Sequence, residues 1–195
     1  MRKNILFLIA LFLCAFQRVS AREVVPFNDG WEFKKGPFSG NALQTVMKWD
    51  GKWEKVTLPH TWNAQDMQRQ VASFYQGEGY YRKRFTFPES MKEKRVYLRF
   101  EGVGSCAEVY INGYLAGTHK GGYSAFVCEL GPQIKWGKEN EIVVKADNTA
   151  RPDVIPVNHN LFGVYGGIYR PVWLVTTEPC AIAVNDCASS GVYIT

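Results

Sequence analysis

The side chains best suited to acid–base chemistry are Glu78, Glu101, Glu108, Asp147 and Asp153, and each stands isolated in the sequence. No strand carries several of them on one face, so a pair at the separation that glycoside hydrolysis needs would have to be assembled by folding. A Ser-His-Asp site is unsupported, because no Gly-x-Ser-x-Gly elbow occurs and His60, His119 and His159 lie in unrelated contexts. Structural or binding roles suit these histidines better than base catalysis. Past Cys14 the cysteines are Cys106, Cys128, Cys180 and Cys187, with no Cys-x-x-Cys pair and no histidine at finger spacing. Zinc is therefore not expected, nor any other metal or cofactor. An even number permits disulfides without naming the pairs, and unpaired cysteines are the equal alternative.

Two segments are unlike simple strand or turn. In Leu58-Pro59-His60-Thr61-Trp62-Asn63 a proline ends a strand and delivers Trp62 beside polar groups. Such a ring can stack on a sugar, or it can close the core. The second segment runs from Asn158, His159 and Asn160 through Leu161-Phe162-Gly163-Val164-Tyr165-Gly166-Gly167-Ile168-Tyr169 to Arg170. Its amides, aromatics and glycines suit a loop that hydrogen-bonds a neutral polyol.

These loops need a frame. Residues 1–21 read as an export signal, with Arg2 and Lys3 as the charged start, an apolar run from Ile5 to Phe16, and Val19-Ser20-Ala21 as the cleavage site. The mature protein is expected to be secreted or periplasmic, and its roughly 170 residues form one ordinary domain with no room for a (β/α)₈ barrel. Three positive charges of the net +5 belong to the signal. What remains is nearly neutral and without a dense basic run, which argues against nucleic acid as a partner. Past Ala21 no apolar stretch is long enough for a membrane-spanning helix.

From Tyr80 onward apolar and polar residues alternate in short runs, predicting strands at 81–87, 96–101, 107–111, 125–130, 142–146 and 171–176. Val96, Leu98 and Phe100 share one face, with Tyr97, Arg99 and Glu101 on the wet one. Asn112-Gly113 suits a two-residue hairpin turn. Earlier strands are expected near 31–34 and 54–58, separated by a long loop over 36–52, and the only helical candidate after Tyr80 is a turn around 90–94. An all-β fold follows, with two antiparallel sheets packed as a jelly-roll sandwich.

In order along the chain, Leu58 to Asn63, Tyr80-Tyr81-Arg82-Lys83-Arg84-Phe85, Phe100-Glu101-Gly102-Val103, Ala107 to Gly113, His119 to Phe126 and Gly166 to Leu174 resemble the amino-terminal sugar-binding domain of glycoside hydrolase family 2. The match is nearest to its β-galactosidase-like branch. The resemblance implies a jelly roll over 22–178 and, over 179–195, the start of an immunoglobulin-like sandwich domain. In such enzymes a barrel carries the two catalytic glutamates, so this chain is expected to be non-catalytic, a piece of a longer reading frame or a truncated product. Its partners would be a galactoside-like glycan and, where the frame continues, the sandwich and barrel domains.

Family members extend two loops of this domain into the barrel's substrate pocket. The resemblance carries an Asn of the first loop onto Gln76, retaining an amide, and an acid of the second onto Asn160, with Asn158 and His159 as its neighbours. The candidate substrate-binding residues are thus Asn160, His159, Asn158, Gln76 and Trp62. A free-standing carbohydrate-binding module and a purely structural or oligomer-forming domain are the alternatives. Glu101, Arg82, Arg84 and Arg170 are assigned to stacking and ion pairs inside the domain.

Overall fold

Two antiparallel sheets face each other across one apolar core in the computed structural model, which describes residues 22–38, 42–49, 51–66, 74–157 and 163–194. The strands are β1 (Arg22–Pro26), β2 (Trp31–Lys35), β3 (Glu54–Val56), β4 (Glu78–Thr86), β5 (Arg95–Phe100), β6 (Cys106–Ile111), β7 (Tyr114–Lys120), β8 (Phe126–Glu129), β9 (Glu139–Asp147) and β10 (Val172–Thr177). One sheet has the order β1-β10-β5-β8 and the other β3-β2-β4-β9-β6-β7. Every pairing is antiparallel, and the all-β sandwich expected from alternation is present.

Alternation explains the layering. Phe33, Tyr81, Val109 and Val144 point inward from the six-stranded sheet and meet Val96, Leu98, Phe100 and Leu174 of the other. Each such side chain contributes about 1.5–3 kcal/mol on leaving water. The β6–β7 hairpin turns at Asn112 and Gly113, both at positive φ (51° and 86°), as a tight two-residue turn requires. The Asn112 side chain also bonds the Gln133 carbonyl and Asn140.

Three expectations are corrected. The stretch 36–52 is not all loop, because α1 (Ala42–Met47) lies within it. Val46 with Leu43 and Met47 covers Tyr80 and Val143 on the outer face of the six-stranded sheet, and this packing supports a helix too short to stand alone. Next, the outer face of the four-stranded sheet is not simply wet. Tyr97 is buried there against Val175 and Val184, because residues beyond β10 fold back over it. Finally, β1 and β7 add two strands whose mostly exposed residues give little alternation.

The described residues 178–194 contain no strand. None of Cys106, Cys128, Cys180 and Cys187 is in a disulfide. The signal-like segment 1–21 and the candidates Asn158, His159 and Asn160 lie outside the described residues.

Candidate functional site

Glu78, Asp147, Cys106 and Lys120 stand in one row across β4, β9, β6 and β7. The segments adjoining them, 74–77, 148–157, 104–105 and 121–124, therefore crowd one end of the six-stranded sheet, and 163–169 joins them through the Gly104–Gly167 bridge. Two fully buried asparagines brace this end. Asn63 Oδ1 accepts from the Gly166 amide at 2.8 Å, while its Nδ2 donates to the Tyr75 carbonyl at 3.0 Å and to Asp66 at 3.1 Å. Asn148 Nδ2 donates to the Val164 carbonyl at 2.9 Å, and its Oδ1 accepts from the Gly77 amide at 2.9 Å. The backbone entering and leaving both candidate loops is thus fixed by amide side chains, which offer donor and acceptor at once.

Trp62 belongs to the core and is not a sugar platform. Its ring stacks on Phe33 with centroids 5.8 Å apart and meets Tyr75 edge-on. Gly79 and Gly166 exist to admit it: a Cβ at Gly166 would lie 2.0 Å from the indole, and one at Gly79 2.4 Å. No face is left for a ligand. Gln76 is exposed, at the entry to β4 beside the pinned Gly77.

The isolated acids are all in ion pairs. Arg99 holds Glu101 at 2.8 Å, Lys145 bridges Glu78 (2.8 Å) and Glu108 (3.5 Å), Arg151 holds Asp147, and Lys120 holds Asp153 at 2.6 Å. Burial alone would raise the Asp147 carboxyl, yet bonds from Thr149 and Arg151 outweigh it and hold the group below its usual range. The Lys120 hydrogen bond likewise lowers Asp153. A general acid needs the opposite shift. Among the described residues no group of His, Cys, Asp and Glu is arranged to hold a metal ion.

The two described histidines are structural. His60 Nδ1 lies 2.8 Å from the Tyr81 hydroxyl, with its ring against Phe33. His119 stacks on Phe126 and bonds the Gly121 carbonyl and Ser124 hydroxyl through Nε2. Burial lowers both imidazoles.

Sequence reasoning missed Asn148. Nothing in the run after β9 sets Asn148 apart from a solvated amide.

Residues 42–179 match the model of the glycosyl hydrolases family 2 sugar binding domain, and the chain belongs to that family. A Bacteroides fragilis β-glucuronidase is 38% identical over 184 residues, 94% of this chain and 25% of the relative. A Bacteroides ovatus β-galactosidase is 34% identical over 170 residues, covering 83% of this chain and 19% of the relative. Among solved structures, a Bacteroides fragilis protein with a provisional β-galactosidase name is 69% identical with a TM-score of 0.84, covering 90% of this chain and 26% of that one. A Bacteroides uniformis β-glucuronidase is 36% identical with a TM-score of 0.77, over 86% of this chain and 19% of that one. The chain thus spans about a quarter or less of these relatives.

Proposed function

We propose that this chain is the non-catalytic, sugar-contacting amino-terminal domain of an exported β-galactosidase-like family 2 glycosidase. The family match over 42–179 carries the reading. Three further points support it. The carboxylates that sequence inspection singled out are each tied to a cation, which leaves none of them poised as acid or nucleophile. The buried Asn63–Asn148 network fixes the described backbone on either side of two loops at one end of the sandwich, giving them a rigid base. The 69% identity to a protein with a β-galactosidase name favours that branch over the more distant β-glucuronidases. In this reading Gln76 in one segment and Asn158 to Asn160 in the other contact the substrate of a barrel supplied by a longer polypeptide, and residues 179–195 lead toward a sandwich domain. Arg2, Lys3 and the apolar run to Phe16 direct export.

The test is an assay of the purified chain with chromogenic β-galactosides and β-glucuronides, joined to calorimetric titration with the unmodified sugars. Sugar binding without turnover is the expected result. Turnover abolished by substituting an aspartate or glutamate of this chain would sink the reading, and amino-terminal sequencing after export checks cleavage after Ala21.

A further inference from the structure

A groove of about 440 Å³ opens at the same end of the sandwich, between the turn that follows β7 and the segment 153–155. Its volume falls within the roughly 300–1,000 Å³ of small-ligand sites. Tyr123 is 56% exposed on one wall and Ile155 77% exposed on the other. The backbone that carries them is fixed. The Gly121 amide bonds the Ser105 carbonyl at 2.9 Å, the Tyr169 hydroxyl donates to the Gly122 carbonyl, and Arg170 donates to the Tyr123 carbonyl at 3.3 Å. The opposite wall is anchored by buried Val154 and by the Lys120–Asp153 ion pair at 2.6 Å. Behind Tyr123 a smaller recess of about 50 Å³ continues to Tyr165 and Tyr169.

We infer that this groove binds a neutral pyranoside, its apolar ring face on Tyr123 and its hydroxyls on Lys120, Asp153 and Ser124. The inference rests on the sugar-contacting reading and adds to it a site lined by residues 120–124 and 153–155. Chemistry selects the ligand. A lysine paired with a carboxylate offers ammonium donors and carboxylate acceptors side by side, which matches vicinal hydroxyls that both give and accept hydrogen bonds. A uronate would have to displace Asp153 from Lys120. A tyrosine on pinned backbone loses little side-chain entropy when a ring stacks on it.

The experiment is an amide chemical-shift titration of the full chain with methyl β-galactopyranoside to about 50 mM, repeated with methyl β-glucuronide. Shifts are expected at Gly121, Gly122, Ser124 and Ile155, larger for the galactoside. Tyr123→Ala should weaken binding about tenfold, while Tyr123→Phe, which keeps the ring, should stay within about twofold of the parent. The position is exposed, and thermal melts of each variant verify folding. Shifts confined to 74–77 and 163–166 would overturn the groove site and leave the sugar-contacting reading standing. No shift anywhere would overturn both. Equal binding by Tyr123→Ala, or a stronger response to the glucuronide, would overturn the groove assignment.

Discussion

Asn63 and Asn148, 85 residues apart in the chain, share a hydrogen bond of 3.2 Å in the buried end of the sandwich. With the bonds of Asn63 to Gly166 and Tyr75 and of Asn148 to Val164 and Gly77, this contact ties together the loop after β3, the entry to β4, the exit of β9 and the run into β10. Neither asparagine retains solvent exposure, so their own amide groups must be satisfied inside the protein.

Asn148→Leu strands the Val164 carbonyl and the Gly77 amide. Each buried orphan costs about 1–3 kcal/mol, so a loss near 3 kcal/mol is expected in urea denaturation. Asn63→Leu should behave alike, and the double variant should lose less than the two single losses added, because the pair shares one network. Strict additivity would mean that the two asparagines brace separate loops.

Trp62→Ala removes a ring enclosed by Phe33, Tyr75 and two glycines, and a loss of about 3–5 kcal/mol is expected. Gly166→Ala should be comparably severe, since the new methyl group would overlap the indole. Both are read by thermal melting. A Trp62→Ala protein of parental stability that had lost only sugar binding would return Trp62 to the ligand surface.

The sandwich was legible in the sequence because its signal is local. Val96, Leu98 and Phe100 alternate with their neighbours whatever lies opposite, and Asn112-Gly113 announces its turn by residue type alone. The covers over the outer faces were not legible. Tyr97 reads as a wet-face tyrosine until Val184, far along the chain, lands on it, and Val46 gains its role only from Tyr80 and Val143. At the site, Trp62 illustrates the same limit. An indole beside polar residues looks alike in sequence whether it faces a sugar or is clamped between Gly79 and Gly166, and only long-range packing separates the two. Of the acids judged isolated along the chain, Glu78 and Glu108 are partnered by Lys145 through the register of β4, β9 and β6, and Asp153 by Lys120 from β7, whereas Glu101 and Asp147 find Arg99 and Arg151 close by in sequence.

Stability should fall on mild acidification. Burial lowers the His60 and His119 imidazoles below the ordinary 6.5, so as pH drops the unfolded chain takes up protons first. Their contribution is fully present above about pH 6.5 and is lost as pH falls through the lowered folded values. Thermal midpoints are expected to be level from about pH 7 to 8 and to decline below about 6.5. The Asp147 carboxyl acts in a separate window, because its lowered value places its loss below 3.8. Replacing both histidines by glutamine should flatten the decline between about pH 6.5 and 5, and an unaltered slope would assign it to other groups.

The segment after β10 should open independently of the sandwich. Its attachments to the outer face of the four-stranded sheet include Arg99 donating to the Ala188 carbonyl at 2.6 Å, Arg22 donating to the Ile182 carbonyl at 3.2 Å, and Val184 packing on Tyr97 and Val175. Beneath it a cavity of about 340 Å³ remains, lined in part by Trp173, Val127 and the Arg99–Glu101 pair. A cover that leaves such a space gains less dispersion energy than a packed layer would. With no ladder hydrogen bonds of its own, it belongs among the elements that open at low free energy. Arg99→Ala removes one anchor without touching the core, and Val184→Asp places a charge where burial demands an apolar group. Both are expected to accelerate proteolysis between 179 and 194 and hydrogen exchange there, Val184→Asp the more strongly. The melting of β5 and β10 should stay within about 1 kcal/mol of the parent, because opening exposes Tyr97 and Val175 but leaves the ladder intact. Faster cleavage accompanied by a matching loss of global stability would instead make residues 178–194 an integral third layer of the fold.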